Sequence, residues 1–259
     1  MRVLQLTDPD RIRAFLETDR YWADYALGDL EPDLYKLTEW QGVEDAGKLI
    51  ALTMLYTGFE PPIWFAMGDE PGIEALLARS IRVPSISLSV RDEHMPIIEK
   101  YYRIVTLCPM WKMALDVEAF KPAAGATVQL EMSDVPALQT LYAFGGGDAF
   151  QPSEVAAGVF YGIKQAGQLI AVAGTHVVSG HGHIAALGNV MTQPDQRSHG
   201  YATIATSAVC AALIDRGITT IGLSVARDNL SAIRVYEKLG FKKHVPFYEG
   251  TATQKDSRS

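Results

Sequence analysis

The clearest pattern in the sequence is an alternation of strand-like and helix-like runs in the second half of the chain. Apolar and β-branched residues predict strands at residues 183–192 and 220–225, and helical runs follow at 200–216 and 230–239. A last strand is predicted near residues 241–247. With the elements predicted upstream, from about residue 127, the order is β-α-α-β-β-β-α-β-α-β. This order indicates a mixed α/β fold.

The first half of the chain repeats this order more weakly. Its predicted elements are a helix at 9–17, strands at 48–56 and 63–68, a helix at 72–78, a strand at 85–90, a helix at 94–102 and a pair of extended runs at 102–115. We therefore predict a duplicated architecture whose two copies have diverged in sequence. The alternative is a pair of unrelated α/β domains.

The seam between the halves is the segment Lys121-Pro122-Ala123-Ala124-Gly125, which has the composition of a short linker. Residues 1–122 carry 13 Lys/Arg and 20 Asp/Glu, a net charge of −7, whereas residues 123–259 carry 10 of each and are neutral overall. The predicted domains are residues 1–122 and 123–250, followed by a disordered tail at 251–259.

Composition narrows the class of protein. Hydrophobic residues make up 48% of the 259 residues, enough for a sizeable core. The net charge of −7 and the lack of a basic block argue against a nucleic-acid partner. Two cysteines, Cys108 and Cys210, provide neither a disulfide framework nor a zinc site and fit a reducing compartment. With no signal peptide or membrane span in the sequence, we expect a soluble cytoplasmic protein without a membrane partner.

The first segment that indicates chemistry joins a strand to a helix. The strand ends at Val190-Met191-Thr192, and the segment Arg197-Ser198-His199-Gly200-Tyr201-Ala202 opens the helix. The first backbone N–H groups of a helix lack internal acceptors and carry partial positive charge, and a glycine at the bend allows a ligand to approach closely. The segment therefore predicts a diphosphate cradle. It lacks the glycine spacing of dinucleotide-binding and Walker loops, and the alternative is an ordinary helix start.

The second segment runs from Asn229 to Phe241. Ala232, Val235, Tyr236 and Leu239 are spaced as one face of a helix that ends at Gly240. Seven residues separate Asn229 from Tyr236, so both side chains can face one cleft, about two turns apart. The alternatives are that Asn229 only caps the helix and that Tyr236 is only a core aromatic residue.

Together the two segments resemble the acyl-CoA core of the GCN5-related N-acetyltransferase (GNAT) superfamily. The matching pattern is strand, Arg-x-x-Gly-x-Ala, helix, strand, then Asn-x-x-Ala-x-x-x-Tyr-x-x-x-Gly-Phe, over about residues 188–241. A weakly matching first half before a matching second half resembles the FR47-like and glycine N-acyltransferase-like members. The resemblance implies a mixed, mostly antiparallel sheet flanked by helices, with two GNAT-like halves in tandem, the first degenerate and the second catalytic.

The resemblance also implies a site for acetyl-CoA. Val190, Met191 and Thr192 would hold the pantetheine arm like an added strand, and Asn229, with Ala232 beside it, would contact the pantetheine portion. Tyr236 would act as general acid at the sulfur. The residues that would wrap the pyrophosphate are Arg197, Ser198, His199, Gly200, Tyr201, Ala202 and Thr203.

The expected reaction is direct transfer of an acetyl or other short acyl group to a primary amine in a ternary complex. Backbone N–H groups near Val190 could polarise the thioester carbonyl, and a tyrosine, with a pKa near 10, can donate a proton at neutral pH. No metal and no covalent nucleophile are expected, and Cys210 reads as a buried apolar residue. The alternatives are a non-catalytic acyl-CoA-binding regulatory protein and an interaction scaffold.

The sequence leaves the general base and the acceptor open. His176, His181, His183 and Glu154 are candidates for the base, and a water chain is an equal one. The acceptor is either a small-molecule amine or a protein amine. The first half would shape the acceptor pocket or a chain–chain contact, in a monomer or a homodimer.

Overall fold

The computed structural model describes residues 1–79, 83–145 and 150–255. They divide into two units: Met1–Trp111 with Val245–Ser259, and Lys112–His244. Of the glycine run at 145–147, which the sequence suggests as a rim over the acceptor pocket, Gly146 and Gly147 lie outside the described residues. No helix in the described ranges is long and apolar enough to cross a bilayer.

The first unit is built on strands in the order β1-β2-β3-β4-β5-β12. Neighbouring strands are antiparallel, except that β4 and β5 are parallel. Its elements are β1 (Arg2–Gln5), α1 (Pro9–Leu16), α2 (Asp24–Gly28), α3 (Pro32–Tyr35), β2 (Thr38–Asp45), β3 (Lys48–Tyr56), β4 (Ile63–Gly68), α4 (Glu70–Arg79), β5 (Ser85–Arg91), α5 (Met95–Tyr101), most of β6 (Tyr102–Asp116) and most of β12 (Lys242–Gln254).

The second unit repeats this pairing with the order β7-β8-β9-β10-β11. Again, among the described residues, the one parallel pair in this order is β10 with β11. Its elements are β7 (Val128–Gln129), α6 (Val135–Tyr142), α7 (Pro152–Ala157), β8 (Tyr161–Gln165), β9 (Gln168–Ser179), β10 (Ile184–Thr192), α8 (Tyr201–Asp215), β11 (Thr220–Ala226) and α9 (Leu230–Leu239). The predicted mixed, mostly antiparallel sheet flanked by helices is confirmed.

Short-range signals explain where the helices of the second unit begin and end. A capping box between Gln151 and Glu154, with Pro152 in the first turn, starts α7. The side chain of Asn229 caps α9, and Gly240 ends it in the left-handed conformation. In α6, Leu138 and Leu141 face the strands, where they share a core with Val172 and Met191.

A ten-residue segment of the first unit recurs in the second unit. Residues 42–51 (GVEDAGKLIA) and 162–171 (GIKQAGQLIA) are identical at six positions and lie 120 residues apart. Each contains a hairpin whose Ala-Gly turn has φ values of 47° and 80°. A Cβ added at Gly42 would lie 2.6 Å from Leu49, and one added at Gly162 would lie 2.5 Å from Leu169. The same residues thus pack in the same way in both units, as expected of two copies of one ancestral unit.

The structure differs from the sequence-based expectations in several places. Sequence patterns missed β1 and β2, because β2 mixes polar and apolar residues on both faces. The extended runs predicted at 102–115 form one strand, β6. The division between the units falls after Trp111 rather than at residue 122, and Val245–Ser259 belongs to the first unit.

The prediction of a disordered tail is wrong for Thr251–Thr253. These residues pair with Ser85–Ser87 of β5, and Ala252 is fully buried in the core of the first unit. Their polar side chains suggested a loop, whereas the backbone groups of β5 supply a ladder that stabilises an extended strand. Residues 256–259 lie outside the described ranges.

We expect Asp29→Asn to stabilise the protein at neutral pH. Burial, and then the nearby Asp24 carboxylate, raise the pKa of Asp29 to about 7 from 3.8. Between these two values the unfolded chain has lost the proton that the folded chain retains, so folding stability falls as the pH rises. Asparagine has no charge to lose. The variant should match the wild type in chemical denaturation near pH 3.5 and exceed it by a few kcal/mol at pH 8, on the order of the shift.

Asp33→Asn is the control for this experiment. Asp33 lies four residues further along and is exposed, with its pKa lowered by the Lys36 ammonium. Its replacement should not stabilise the protein at pH 8. Equal stability of Asp29→Asn and the wild type at both pH values would contradict the assignment of a destabilising charge to Asp29.

Candidate functional site

The site is built where the two parallel strands of the second unit separate. β10 and β11 pair from Ile184 opposite Thr220 to Leu187 opposite Leu223, and their register ends there. β10 continues beside β9 as far as Thr192. Within the described residues, the backbone of β10 from Gly188 onward therefore pairs with β9 alone. The predicted residues Val190, Met191 and Thr192 all lie on this diverging segment.

Two β-bulges flank the point of divergence. Thr175 and Val177 of β9 face the adjacent residues Leu187 and Ala186 of β10, which leaves His176 as the extra residue of the first bulge. The second bulge is in β10 between Gly188 and Met191, where Asn189 has a φ of +54°. Bulges redirect side chains and interrupt pairing, so these two shape the strand edge at the site.

The loop that leads from β10 into α8 exposes backbone donors. Gly200 is the N-cap of α8 with a φ of +82° and makes no side-chain capping bond. The first helical hydrogen bond at this end runs from Ile204 N to Gly200 O at 3.1 Å. The N–H groups of Tyr201, Ala202 and Thr203 precede it and have no intrahelical acceptor. With the positive end of the helix dipole, this arrangement suits an anion.

The side chains of this loop are ordered around the same helix end. Arg197 donates from Nε to Thr192 O at 3.4 Å, which keeps the guanidinium near the end of β10. The rings of His199 and Tyr201 stack with their centroids 5.6 Å apart. Ser198 has a φ of +69°, so two left-handed residues, Ser198 and Gly200, bend the chain into the helix. The structure thus brings the predicted pyrophosphate residues together, with Arg197–Gly200 in an exposed loop and Tyr201, Ala202 and Thr203 in the first turn of α8.

Asn229 has the capping role that the sequence left open. Its Oδ1 accepts from Ala232 N at 3.1 Å and from Ser231 Oγ at 2.9 Å. In the part of the chain that the structure describes, the Nδ2 donor of this exposed residue makes no hydrogen bond. The cap therefore uses the amide oxygen and leaves the amide N–H groups for another partner.

Tyr236 lies on the buried face of α9. The buried residues of this helix are Ile233, Tyr236 and Leu239. Ala232 and Val235, which the spacing placed on the same face as Tyr236, are only partly buried. Burial, and then the nearby Cys210, raise the pKa of Tyr236 to about 12. Tyr236 is 7% exposed, and its hydroxyl has no hydrogen-bond partner within the described residues.

A polar cluster lies beside the diverging strands, formed by Glu154 of α7, His176 of β9, Asn189 of β10 and Tyr142 of α6. His176 Nδ1 is 2.9 Å from Glu154 Oε1, and Asn189 Nδ2 donates to Glu154 Oε2 at 3.0 Å. The Tyr142 hydroxyl donates to Asn189 O at 2.8 Å. Two candidate bases from the sequence are therefore hydrogen-bonded to each other.

Asn189 and Tyr142 were missed by the sequence analysis. The signal for Asn189 was the pair Gly188-Asn189 inside a strand, since neither residue favours a regular strand and such pairs mark bulges. Tyr142 gave no local signal, because it is one more aromatic residue on an apolar helix. Burial raises the pKa of Tyr142 above its usual range, with a smaller contribution from the Glu154 carboxylate.

The other candidate histidines lie away from this cluster. His183 precedes β10, and its Nδ1 is 3.0 Å from Gly217 O. Five residues of strand separate it from Gly188, a span of about 16 Å. His181 lies in the turn between β9 and β10. Neither histidine is at the divergence of β10 and β11.

In the first unit, the helix that corresponds to α8 is α4, and its N-terminal end is capped by a side chain. α4 follows β4 as α8 follows β10, but the residue before it is Asp69, whose Oδ1 accepts from Gly72 N at 2.9 Å. Glu70 adds a second acidic residue to the first turn. The carboxylate occupies a donor and repels anions, so this end does not suit a diphosphate.

Comparison with known proteins points to one family. Residues 129–241 match the model of the acetyltransferase (GNAT) family. The comparison with curated proteins finds no match. The finer likeness to FR47-like and glycine N-acyltransferase-like members stays a prediction.

Solved structures show the same fold over nearly the whole chain. A protein assigned to the GNAT family from Novosphingobium aromaticivorans is 22% identical, with 92% of this chain and 100% of that chain covered and a TM-score of 0.64. A Drosophila protein gives a TM-score of 0.73 at 10% identity, covering 97% and 98%. A tandem GNAT protein from the clavulanic acid biosynthesis pathway gives 0.58 at 14% identity, covering 99% of each chain.

Proposed function

We propose, from the premise that residues 129–241 form a domain of the GNAT acetyltransferase family, that this chain transfers an acetyl group from acetyl-CoA to a primary amine. The observation that carries the proposal is the end of the β10–β11 register at Leu187 and Leu223, followed by the uncapped start of α8. The edge of β10 that no longer pairs with β11 is followed along the chain by the start of α8, which suits an anion. An extended, amide-containing arm that ends in a diphosphate matches both.

The proposed cofactor contacts follow from this match. Val190, Met191 and Thr192 would pair with the amide groups of pantetheine as an added strand. Met191 has its side chain in the core with α6, so its contribution is the backbone. The loop Arg197–Gly200 and the first turn of α8, up to Thr203, would hold the diphosphate through backbone N–H groups and the guanidinium. Asn229 Nδ2 would donate to the pantetheine arm.

The chemistry needs a polarised carbonyl and a proton for the departing thiolate. Backbone N–H groups near Val190 are the proposed donors to the carbonyl oxygen. The proposed general acid is Tyr236. Burial raises the pKa of Tyr236 to about 12, so its hydroxyl keeps its proton near neutral pH and can donate it to the departing thiolate.

The first unit is proposed as a degenerate copy that does not bind CoA. The repeat at residues 42–51 and 162–171 supports common descent. The capping of α4 by Asp69 supports the loss of the diphosphate site.

We expect one acetyl-CoA to bind per chain. Titration calorimetry on the full chain should give a stoichiometry of one, because among the helices of the described residues α8 alone has an uncapped, non-acidic start after a diverging strand. Acetyl-CoA should also raise the melting temperature, as does any ligand that binds only the folded state. Two equivalent sites would contradict the assignment of a degenerate first unit.

A screen of primary amines with acetyl-CoA tests the transfer itself. Release of free CoA thiol that depends on the amine, together with an acetylated amine found by mass spectrometry, is the expected result. Binding of acetyl-CoA without acetylation of any amine would instead indicate a non-catalytic acyl-CoA-binding protein.

A further inference from the structure

We propose that His176 is the general base that takes a proton from the amine acceptor and that Glu154 positions it. This inference rests on the proposed acetyl transfer and adds to it the group that makes the amine nucleophilic. A primary amine is mostly an ammonium ion at neutral pH and cannot attack until it loses a proton. The base must therefore lie where the thioester carbonyl would be, at the divergence of β10 and β11.

The two β-bulges bring the cluster to that place. Without the extra residue at 176, the alternation of β9 would continue unbroken, and the bulge instead turns the imidazole toward Glu154 of α7. The bulge in β10 does the same for Asn189. Thr175 Oγ1 accepts from Val159 N at 3.0 Å, which ties β9 to the end of α7. Two local irregularities in facing strands thus converge on one carboxylate.

Glu154 is held in a fixed orientation by several donors. Its Oε2 accepts from Gln151 N at 3.0 Å in the capping box and from Asn189 Nδ2 at 3.0 Å. Its Oε1 lies 2.9 Å from His176 Nδ1. A carboxylate accepts, so Nδ1 carries the hydrogen and Nε2 carries the lone pair. The carboxylate therefore fixes both the ring orientation and the basic nitrogen.

The basic nitrogen lies over Gly188. A Cβ added at Gly188 would collide with His176 Nε2, so the imidazole packs directly on the backbone there and needs a glycine. Gly188 is the first residue of β10 beyond the β10–β11 register. Nε2 is therefore at the point where the strands separate. His176 and Glu154 side chains are 21% and 15% exposed, which leaves limited access for an acceptor.

The proton balance of the step is complete. Nε2 of His176 takes one proton from the ammonium, and the neutral amine attacks the thioester carbon. The C–N bond forms as the carbonyl π electrons move to oxygen, and their return breaks the C–S bond. The thiolate takes the proton of Tyr236, and the second proton lost by the nitrogen replaces it. His176 releases its proton to solvent, so the products are the amide, the CoA thiol and one proton.

Within the polar cluster, one carboxyl group contacts His176. In the described ranges, Glu154 contacts it from α7, and Asn189 of β10 is neutral. Tyr142 of α6 bonds to the Asn189 carbonyl and, with its raised pKa, keeps its proton through the assay range.

His176→Asn is the variant that tests the base. The asparagine amide can replace Nδ1 as a donor to Glu154, whereas the basic Nε2 is removed. With the best acceptor of the amine screen, we expect turnover at pH 7 to fall by about 10²-fold, as for the loss of a general base. The loss should shrink toward pH 9, where more of the amine is already neutral. Acetyl-CoA affinity by calorimetry should stay unchanged.

Three further variants complete the experiment. Glu154→Gln retains the capping box but can present an N–H to Nδ1, so turnover should fall by about 10-fold or more while acetyl-CoA affinity stays unchanged. Gly188→Ala leaves His176 and Glu154 in the sequence but displaces the ring, and should also slow turnover.

His183→Asn is the control, since asparagine can donate to Gly217 O and tolerates the φ of +51°. It should behave as wild type.

The outcomes separate this inference from the proposed function. If His176→Asn retains more than half of the wild-type turnover with the same pH profile, His176 is not the base, although acetyl transfer stands. If the wild type does not bind acetyl-CoA or acetylates no amine, the proposed function fails and the assignment of the base fails with it.

Discussion

Tyr236→Phe should lower kcat for acetyl transfer by about 10²-fold while leaving acetyl-CoA affinity nearly unchanged. The change removes only the hydroxyl, and that hydroxyl has no hydrogen-bond partner within the described residues. Packing against Phe241, at 5.9 Å between ring centroids, is retained. An effect on the chemical step without an effect on binding indicates an interaction made mainly in the transition state.

The pH dependence of this effect is also defined. Because the pKa of Tyr236 is about 12, the hydroxyl remains protonated through the whole assay range, and the loss should be the same from pH 7 to pH 9. Tyr102→Phe is the matched control. Tyr102 is buried in the first unit, and its hydroxyl donates to Val83 O at 3.0 Å. It should lose about 1 kcal/mol of stability and no activity.

A Tyr236→Phe enzyme with more than half of the wild-type kcat would remove this residue from the chemistry. The proton for the thiolate would then come from water, and Tyr236 would be a core aromatic residue alone. Steady-state kinetics at saturating acetyl-CoA, with the acceptor varied, make the decision.

Gly200→Val should abolish the thermal stabilisation by acetyl-CoA. At about 100 times Kd, a ligand stabilises the folded wild type by about 2.7 kcal/mol, which is a shift of several degrees. Gly200 has a φ of +82°, and no described atom lies within 4 Å of its added Cβ. The valine side chain would therefore stand in the space beside the helix start and push a diphosphate off the N–H groups.

The Gly200→Val change also strains the backbone, so the effect of strain must be distinguished from the loss of acetyl-CoA binding. A valine substitution at Gly217 provides that control. Gly217 follows the other end of α8 with a φ of +79° and equally open surroundings. Valine at either position costs about 1–3 kcal/mol of backbone strain. Both variants should thus melt earlier than the wild type, but only Gly217→Val should be restabilised by acetyl-CoA. A normal ligand shift in Gly200→Val would show that the diphosphate binds elsewhere.

The elements around the proposed cofactor site were predictable because local signals define them. The bounds of α9 follow from the cap Asn229, the apolar spacing and Gly240, all within thirteen residues of sequence. Gly200 at the start of α8 is likewise a local signal. Each feature depends on backbone conformation and neighbouring residues, which a single sequence displays directly.

The polar cluster was not predictable in the same way. Glu154, His176 and Asn189 come from three elements, and their contact depends on the register of β9 with β10. A bulge shifts that register by one residue and reverses which side chains share a face. The sequence offered His176 and Glu154 as separate candidates but contained no local signal that they meet. The repeat at residues 42–51 and 162–171, by contrast, could have been found by comparing the chain with itself.

The membership of Val245–Ser259 in the first unit has a consequence for synthesis of the chain. β5 takes its antiparallel partner from β12, which pairs Phe247–Thr253 with Ser85–Arg91. On the ribosome, these partners emerge more than 150 residues apart, after all of Lys112–His244. The half that is made first is therefore completed last, and until then β5 presents an open edge to other nascent chains. In this protein the N-terminal half cannot finish folding before its C-terminal neighbour has been translated.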